Sequence, residues 1–354
     1  MDKFSFFSIN YRKTIRDTFK QEVFTKEKFV IVVDNDNKVI GIVTDGDFRR
    51  AIWNAVSLED SVDVITNKNF TWLAERYDVD NAKKIFSTTD IQQIPVLRDG
   101  ILVDIIYKKN FEAPGLVSSL RGLNIPVVIM AGGLGTRLDP FTRILPKPLI
   151  PIGEKTIIEI LIEKFAKYGA TRFYISLNYK SRIVKAFFED YVKRYKISYI
   201  EEEKPLGTAG ALKLLKGRIK TPFIVSNCDI IVKEDYNKIV EFHKKGRYLF
   251  TIVGSMQHHV VPYGVCKIKA GGELIDLEEK PEYDLLVNTG MYIVNPDVLK
   301  YIPSGKKFDV TELIYKLMQK GGKIGVFPVS EKSWIDIGQW EEYKKAVEKL
   351  HSFY

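Results

Sequence analysis

The sequence predicts an α/β protein with a mostly parallel sheet, preceded by a smaller α+β module. Short apolar strands alternate with amphipathic helices from about residue 126 onward. Upstream of that region, a shorter strand–turn–strand pattern occurs twice. A segment rich in Pro, Gly and Ser separates the two regions, so the sequence predicts two domains.

The alternation in the second region sets its fold class. Six apolar segments read as strands: PVVIMA, TRFYISL, PFIVSN, YLFTIVGS, GMYIV and IGVFPV. The helical segments are TIIEILIEKFAKYG, YKSRIVKAFFEDYVKRY, GTAGALKLLKG and VTELIYKLMQKG. Alternation of this kind is typical of a Rossmann-like, mostly parallel sheet with helices on both faces. Ligands of such sheets bind beyond the carboxyl ends of the strands.

The domain boundary is expected in the segment FEAPGLVSSLRGLN, residues 111–124, which holds Pro114, Gly115 and Gly122 between strongly patterned stretches. Glycine and proline mark loops of this kind. We therefore place the domains at residues 1–118 and 119–354.

Charge and composition narrow the function. Residues 1–120 carry a net charge of −1, whereas residues 121–354 carry +10. A basic domain without any nucleic-acid-binding signature favours small phosphorylated substrates over nucleic acid. No apolar run approaches the roughly 18 residues of a membrane span, and the N-terminus lacks the features of a signal peptide. With only two cysteines, we expect a cytoplasmic protein that does not contact membranes.

The repeat in the first region comprises residues 28–52 and 91–111, with Gly41–Phe48 matching Asp104–Phe111 at an offset of 63 residues. It resembles a tandem pair of cystathionine-β-synthase-type (CBS, or Bateman) domains, which often bind adenine nucleotides. In the first copy, GIVTDGD matches that family's G-x-x-T-x-x-D, and the resemblance implies that Thr44 and Asp47 hold ribose and phosphate. The second copy has DIIYKKN instead. Binding of a regulatory nucleotide and a purely structural role are both open.

The most informative segment is GGLGTRLDPFTRILPKPLIPIG, residues 132–153. The dinucleotide fingerprint would need a glycine at Leu138, and a Walker A loop would need G-K-[ST], so neither fits. What remains is a glycine loop after a strand, with Arg137 available for an anion. Pro146 and Pro148 flank Lys147 and restrict the backbone that carries its ammonium.

This segment resembles the signature of the sugar-1-phosphate nucleotidyltransferases, G-G-x-G-T-R-L-x-P-x-T-x-x-x-P-K-P, at every fixed position. The resemblance implies a GT-A-like fold in which the loop wraps a nucleoside triphosphate. EEEKPLGTAGAL, residues 201–212, resembles the segment that holds the base. The implied nucleotide-binding residues are Gly132, Gly133, Gly135, Thr136, Arg137, Lys147, Gly207 and Thr208.

Two carboxylates are implied to bind metal. Asp229 ends the strand segment PFIVSNCD, and Asp336 lies in SWIDIGQW, which resembles the family's closing segment. Carboxylates that act together with substrate phosphates suit Mg²⁺. The implied catalytic residues are Arg137, Lys147, Asp229 and Lys280.

The sugar-phosphate side is implied by three further segments, PYGV, LEEKP and VNTGMYI. By this resemblance Gly264 lets the sugar approach, Glu279 binds its hydroxyls, and Lys280 pairs with its phosphate. Asn288 and Thr289 would line the pocket.

The resemblance implies that the chain joins a nucleoside triphosphate to a sugar-1-phosphate and releases pyrophosphate. PLGTAGA is more similar to guanylyltransferases than to thymidylyl- or uridylyltransferases. A CBS pair ahead of a short transferase is similar to the glucosamine-1-phosphate guanylyltransferases of bacterial legionaminic acid synthesis, so GTP and glucosamine-1-phosphate are the expected substrates. Mannose- or heptose-1-phosphate with GTP, and glucose-1-phosphate with UTP or dTTP, are the alternatives.

A different class of function is a nucleotide-sensing regulatory protein with an inactive transferase fold. Substitution of Arg137, Lys147, Asp229 or Lys280 would favour it, and all four residues are present. We also expect a homo-oligomer.

Overall fold

The computed structural model describes residues 5–21, 24, 27–111, 122–189, 195–338 and 340–344. The chain divides into two compact units, residues 1–118 and 119–354. Residues 112–121, which make up most of the predicted boundary segment, lie outside the described residues. Among the helices of the described residues, none is both long and apolar enough to cross a membrane.

The first unit contains two three-stranded sheets of the same plan. In each sheet the first strand runs parallel to the second, which pairs antiparallel with the third. The elements are β1 (Ser8–Asn10), α1 (Ile15–Lys20), β2 (Phe29–Val33), β3 (Val39–Thr44), α2 (Asp45–Trp53), β4 (Leu73–Ala74), α3 (Val79–Thr88), β5 (Gln93–Arg98) and β6 (Ile101–Tyr107). The repeat seen in the sequence is therefore a repeat of structure.

An apolar cluster joins the two sheets. Phe29, Ile31 and Val33 of β2 pack with Leu97 of β5 and with residues of β6. Strand β2 is buried along its whole length. Its other residues belong to a separate cluster with α1 and α2, so β2 is covered on both faces and reads as a continuous apolar run.

The second unit is built on a seven-stranded sheet of order β11-β10-β7-β12-β17-β14-β18. Only β17 runs antiparallel to its neighbours, as expected for a mostly parallel sheet. Its strands are β7 (Val127–Met130), β10 (Arg172–Leu177), β11 (Lys196–Glu201), β12 (Phe223–Asn227), β14 (Phe250–Val260), β17 (Glu282–Val294) and β18 (Ile324–Val329). The edge strand β11 was not among the predicted strands.

Helices cover both faces of this sheet. They are α4 (Phe141–Ile144), α5 (Ile157–Lys167), α6 (Ser181–Glu189), α7 (Gly207–Gly210), α8 (Tyr236–Lys245) and α9 (Val310–Gln319). Along β7, Val127 and Ile129 face the core that contains α5, α6 and α8. Val128 faces the core that contains α7 and α9. Side chains alternate across a strand, so a strand buried on both faces must be apolar throughout.

Helix α5 shows how the sequence fixes one of these helices. Thr156 and Glu159 form a capping box at its start, each side chain accepting a hydrogen bond from the other residue's backbone N–H. Its apolar residues are spaced to face the sheet. The chain turns away at Gly169, which has φ +92°, and a Cβ there would lie 2.7 Å from the Cα of Gly122.

Three small two-stranded sheets complete the unit. They are formed by β8 (Pro151–Ile152) with β9 (Lys155–Thr156), β13 (Ile230–Val232) with β19 (Trp334–Asp336), and β15 (Val265–Ile268) with β16 (Leu274–Glu278). Strands β14 and β17 pair from Val260↔Glu282 to Phe250↔Val294. We call residues 255–287 the arm, because they carry this pairing beyond the strands beside it and include the β15·β16 hairpin.

We expect residues 119–354 to fold without the first unit, because both of its apolar cores are built from residues within 123–337. A fragment of residues 119–354 should unfold in one cooperative thermal transition, followed by circular dichroism. The intact chain is the control. A fragment that melts without cooperativity, or that loses its helical signal at 25 °C, would contradict this expectation.

Candidate active site

The carboxyl ends of the parallel strands meet at a cavity of about 410 Å³. Its lining comes from the loops after β7, β11 and β12 and from the start of α9. The residues are Met130, Gly132, Gly133, Leu134, Gly135, Thr136, Arg137, Lys147, Glu202, Pro205, Gly207, Thr208, Asn227, Cys228, Asp229 and Asp309. All eight predicted nucleotide-binding residues are among them, together with Asp229.

The three glycines of the first loop have different reasons to be glycine. Gly133 has no neighbour within 4 Å of a Cβ, so its backbone is open to the cavity. A Cβ on Gly132 would lie 2.8 Å from Glu202 Oε1. Gly135 has φ +71°, and a Cβ there would lie 3.0 Å from Lys147 Cβ. The loop therefore needs glycine both for an open backbone and for its close packing against neighbouring side chains.

Lys147 and Asp229 form a buried ion pair. Lys147 Nζ donates to Asp229 Oδ2 at 2.5 Å, and the two residues are only 7% and 8% exposed. Pro146 places Lys147 at the start of a short 3-10 helix, which fixes the backbone of the cation. The pair joins the glycine-loop region to the end of β12.

Asp336 lies beside Asp229 because strands β13 and β19 pair. In the β13·β19 ribbon Ile230 is in register with Asp336, and Ile337 N–H donates to Asp229 O at 2.7 Å. A Cβ on Gly338 would lie 2.5 Å from Asp229 Oδ2 and 2.8 Å from Asp336 Oδ1. Both carboxylates therefore face the same small space beside Gly338.

This arrangement fits Mg²⁺. Two carboxylates, one from the turn after β12 and one from β19, converge where only a glycine leaves space, and Mg²⁺ uses one or two carboxylates with water and phosphate oxygens. Among the described residues no group of three or more His, Cys, Asp or Glu side chains could enclose a metal ion. The donor set suits a cation that is shared with a substrate.

The pKa of the Asp336 carboxyl is raised, chiefly because the group is buried and also because the Asp229 carboxylate is close. The Gly338 N–H, Lys147 and Arg137 oppose this rise in pKa. A cation at this point would favour the ionised form of the carboxyl.

Cys228 also lines the cavity, and burial raises the pKa of its thiol to about 12. A thiol with so high a pKa stays protonated at neutral pH and is a poor nucleophile. The cavity thus has no activated cysteine.

In the same cavity, the loop at Gly207 and Thr208 meets two acidic residues that the sequence analysis did not single out. Glu202 accepts from Ser176 Oγ at 2.6 Å and from Leu206 N–H at 2.9 Å. Asp309 accepts from Thr208 N–H at 3.1 Å. Glu202 lies within the predicted base segment. The only local signal for Asp309 was the D-x-x-E start of a helix.

The predicted sugar-phosphate residues lie on or beside the arm and outside the lining of this cavity. Glu279 and Lys280 are exposed at the end of the β15·β16 hairpin, and Lys280 has φ +47°. A Cβ on Gly264 would lie 3.0 Å from Glu279 Oε2, so these two residues are neighbours, as a shared sugar site would require.

Asn288 and Thr289 occupy β17 next to the cavity. The Thr289 hydroxyl is buried and donates to Val253 O at 2.8 Å. Asn288 Nδ2 donates to the Tyr292 hydroxyl at 2.9 Å. Thr289 therefore supports the sheet through its hydroxyl, whereas Asn288 is exposed.

In the first unit, Thr44 and Asp47 form a capping box at the start of α2. Thr44 N–H donates to Asp47 Oδ2 at 2.8 Å, and Arg50 contacts the same carboxylate. The T-x-x-D spacing that the sequence analysis interpreted as a ligand motif is also the spacing of a helix cap. The corresponding residues of the second copy, Tyr107 and Asn110, flank and end a short 3-10 helix.

Comparisons with known proteins match a family model to part of each unit. A family model described as nucleotidyl transferase matches residues 126–352, and a CBS domain model matches residues 7–54. Together with the mostly parallel sheet, these matches confirm the predicted fold class.

Curated relatives include mannose-1-phosphate guanyltransferases of Aspergillus fumigatus and Saccharomyces cerevisiae. They are 34% and 33% identical to this chain over 225 residues, which is 61% of this chain and 61% and 62% of those proteins. The chain thus matches about three fifths of the length of these relatives.

Among solved structures, HddC from Yersinia pseudotuberculosis is 33% identical with a TM-score of 0.51. The match covers 64% of this chain and 99% of HddC, and one of the HddC structures is complexed with GMP-PN.

Gly338→Ala tests the convergence of the two carboxylates. The added Cβ would lie too close to both for either to stay in place, so we expect Mg²⁺ affinity to fall by about tenfold or more. Binding can be measured with Mn²⁺ by water-proton relaxation, in the presence of a nucleoside triphosphate. Gly122→Ala, where a Cβ meets no atom within 4 Å, is the control. Equal affinities in the two variants would show that the carboxylates do not share a cation.

Proposed function

Because the chain belongs to the nucleotidyl transferase family, we propose that it is a sugar-1-phosphate guanylyltransferase. It would join GTP to a hexose-1-phosphate and release a GDP-sugar and pyrophosphate. The observation that carries this proposal is the cavity, where a glycine loop meets Lys147 and Asp229, with the Asp336 carboxylate next to that of Asp229 at Gly338.

Mannose-1-phosphate is the first sugar substrate to test. The curated relatives named above are mannose-1-phosphate guanyltransferases, so they favour this alternative over the glucosamine-1-phosphate expected from the sequence. The glucosamine and heptose sugars remain in the test panel. The expectation of glucosamine rests on the CBS pair ahead of the transferase, and this first unit lies outside the region matched by the transferase family model.

Two observations support GTP as the nucleotide. HddC, 33% identical, has been solved with GMP-PN. In addition, the Glu202 carboxylate lines the cavity beside the Gly207 loop. Guanine presents two adjacent N–H donors on its Watson–Crick edge, and a carboxylate accepts such a pair well. Because Ser176 and the Leu206 N–H hold Glu202, its acceptors are preorganised.

The reaction needs no nucleophile from the protein. A phosphate oxygen of the sugar-1-phosphate attacks the α-phosphorus of GTP, a new P–O bond forms, and the bond to the bridging oxygen breaks as pyrophosphate leaves. Arg137 and the N–H groups of the glycine loop would bind the phosphates of GTP, and Lys147 would offset charge near the α-phosphate. Positioning two polyanions against their repulsion is the main task.

Asp229 and Asp336 would hold Mg²⁺. When bound there, Mg²⁺ supplies positive charge against the phosphate oxygens of both substrates. Lys147 orients the Asp229 carboxylate through the buried ion pair.

The first unit is proposed as a regulatory and assembly module. We propose that it binds at most one nucleotide, at Thr44 and Asp47, and that the chain forms a homo-oligomer. Since these side chains already cap α2, a ligand there would have to share the Asp47 carboxylate with the helix start.

A panel of GTP, ATP, UTP and dTTP against several hexose-1-phosphates, read as pyrophosphate release, tests the activity. We expect GTP with mannose-1-phosphate to be the best pair. In Glu202→Gln, we expect the preference for GTP over the other nucleotides to fall by about tenfold or more, because an amide offers only one acceptor to two guanine donors.

Glu203→Gln is the matched control, since the neighbouring carboxylate is exposed and does not line the cavity. An unchanged preference for GTP in Glu202→Gln would show that Glu202 does not recognise the base. An absence of pyrophosphate release with every pair would refute the proposed activity.

Lys280→Ala should act on the sugar phosphate. Loss of one exposed ammonium that faces a phosphate should cost about 1 kcal/mol, or roughly a fivefold rise in KM for the sugar-1-phosphate. KM for GTP should stay within twofold. Lys269→Ala removes a charge from the same arm at a lysine that pairs with Glu273 and should change neither constant. Equal rises in both KM values would contradict the role of Lys280.

A further inference from the structure

The nucleotide side of the cavity depends on a contact between segments about 100 residues apart. We call residues 206–210, which include the short helix α7, the base loop. Phe308 N–H donates to Leu206 O at 2.8 Å, and the N–H groups of Ala209 and Gly210 donate to Phe308 O at 3.0 and 2.9 Å. The base loop is thus held by the backbone just before α9.

Asp309 completes this contact with its side chain. Its Oδ1 accepts from Thr208 N–H at 3.1 Å and lies 3.4 Å from the Thr208 hydroxyl. The Thr208 hydroxyl oxygen in turn accepts from Val310 N–H at 2.9 Å. Each residue therefore satisfies a backbone donor of the other's segment, as in a capping box made from two distant parts of the chain.

Gly207 shows how tightly the two segments fit. It has φ +77°, and a Cβ there would lie 2.6 Å from Asp309 Oδ1 and 2.8 Å from Phe308 O. Only glycine allows both this backbone conformation and this approach. A glycine-containing loop loses much conformational entropy when it becomes ordered, so a partner that orders it beforehand favours ligand binding.

We propose that Asp309 is a positioning residue for the nucleotide: it orders the base loop, so that the backbone at Gly207 and Thr208 meets the nucleotide in a fixed conformation. The inference rests on the proposed function only for the identity of the nucleotide. Asp309 itself lines the cavity and is half-buried, so its carboxylate lies at the edge of the proposed nucleotide site.

The test compares Asp309→Ala with Asp309→Asn in the intact chain. The amide keeps an oxygen that can accept from Thr208 N–H, whereas alanine keeps none. In Asp309→Ala we expect the Kd for GTP, measured by calorimetry, to rise about tenfold, the change expected when one charge-assisted hydrogen bond is lost at a half-exposed position. Asp309→Asn should stay within about threefold of wild type.

Steady-state kinetics provide the second readout. In Asp309→Ala, KM for GTP should rise, while kcat and KM for the sugar-1-phosphate stay within about twofold. Thr208→Val removes the acceptor of Val310 N–H and should raise the Kd for GTP similarly. Combining it with Asp309→Ala should add less than the sum of the two changes, because both hydrogen bonds join the same two segments.

The matched control is Asp235→Ala. Asp235 is the N-cap of α8, a helix of ten residues like α9, and accepts from Asn237 N–H. Its loss should lower thermal stability without changing nucleotide affinity. Equal Kd values in wild type and Asp309→Ala, or an equal rise in Asp235→Ala, would overturn the proposal. Calorimetry needs no turnover, so an inactive but GTP-binding chain would refute the proposed activity and still test Asp309.

Discussion

The buried ion pair between Lys147 and Asp229 is the interaction on which the site depends. Moving two charges out of water is costly, and each is tolerated here because the other is 2.5 Å away. Replacing one partner with an apolar residue would leave an uncompensated buried charge, at a cost of about 3–5 kcal/mol. Asp229 is therefore both a proposed metal ligand and a support for the fold around it. A loss of activity in an Asp229 variant would mix these two effects, whereas a change at Gly338 keeps both charges.

The sheet explains how residues far apart in sequence meet at this pair. Carboxyl ends of parallel strands share one edge, so the loops after β7, β11 and β12 converge there. That much was predictable: strand–helix alternation indicated the sheet, and the glycine and proline pattern indicated a loop that is found to line the cavity. Asp309 was not predictable in its role, because its partner Thr208 is 101 residues away and its local pattern indicates only a helix start. The edge strand β11 was missed because its alternating polar and apolar residues follow directly on a long helical pattern.

The first unit shows a different limit of sequence reasoning. A Thr and an Asp three residues apart after a strand predict a nucleotide site through one resemblance and a helix cap through elementary physics. In the structure the side chains of Thr44 and Asp47 cap α2. A cap does not compete fully with a ligand, since an ionised carboxylate has more acceptor positions than a cap uses. The spacing alone therefore left ligand binding and structural support open, and only the hydrogen bonds showed that the structural role is present.

The charges that line the cavity are opposite in sign to the net charge of this domain. Residues 121–354 carry a net +10, which favours phosphorylated substrates. Among the described residues, however, the cavity is lined by Arg137 and Lys147 against Glu202, Asp229 and Asp309, with Asp336 beside Gly338. The lining is thus net negative, and a triphosphate would meet carboxylates as well as lysine and arginine. In the proposed activity, a divalent cation held by Asp229 and Asp336 would offset the repulsion between these carboxylates and a triphosphate. The net positive charge of the domain would then draw anions toward the molecule, while the carboxylates would make productive binding depend on the metal.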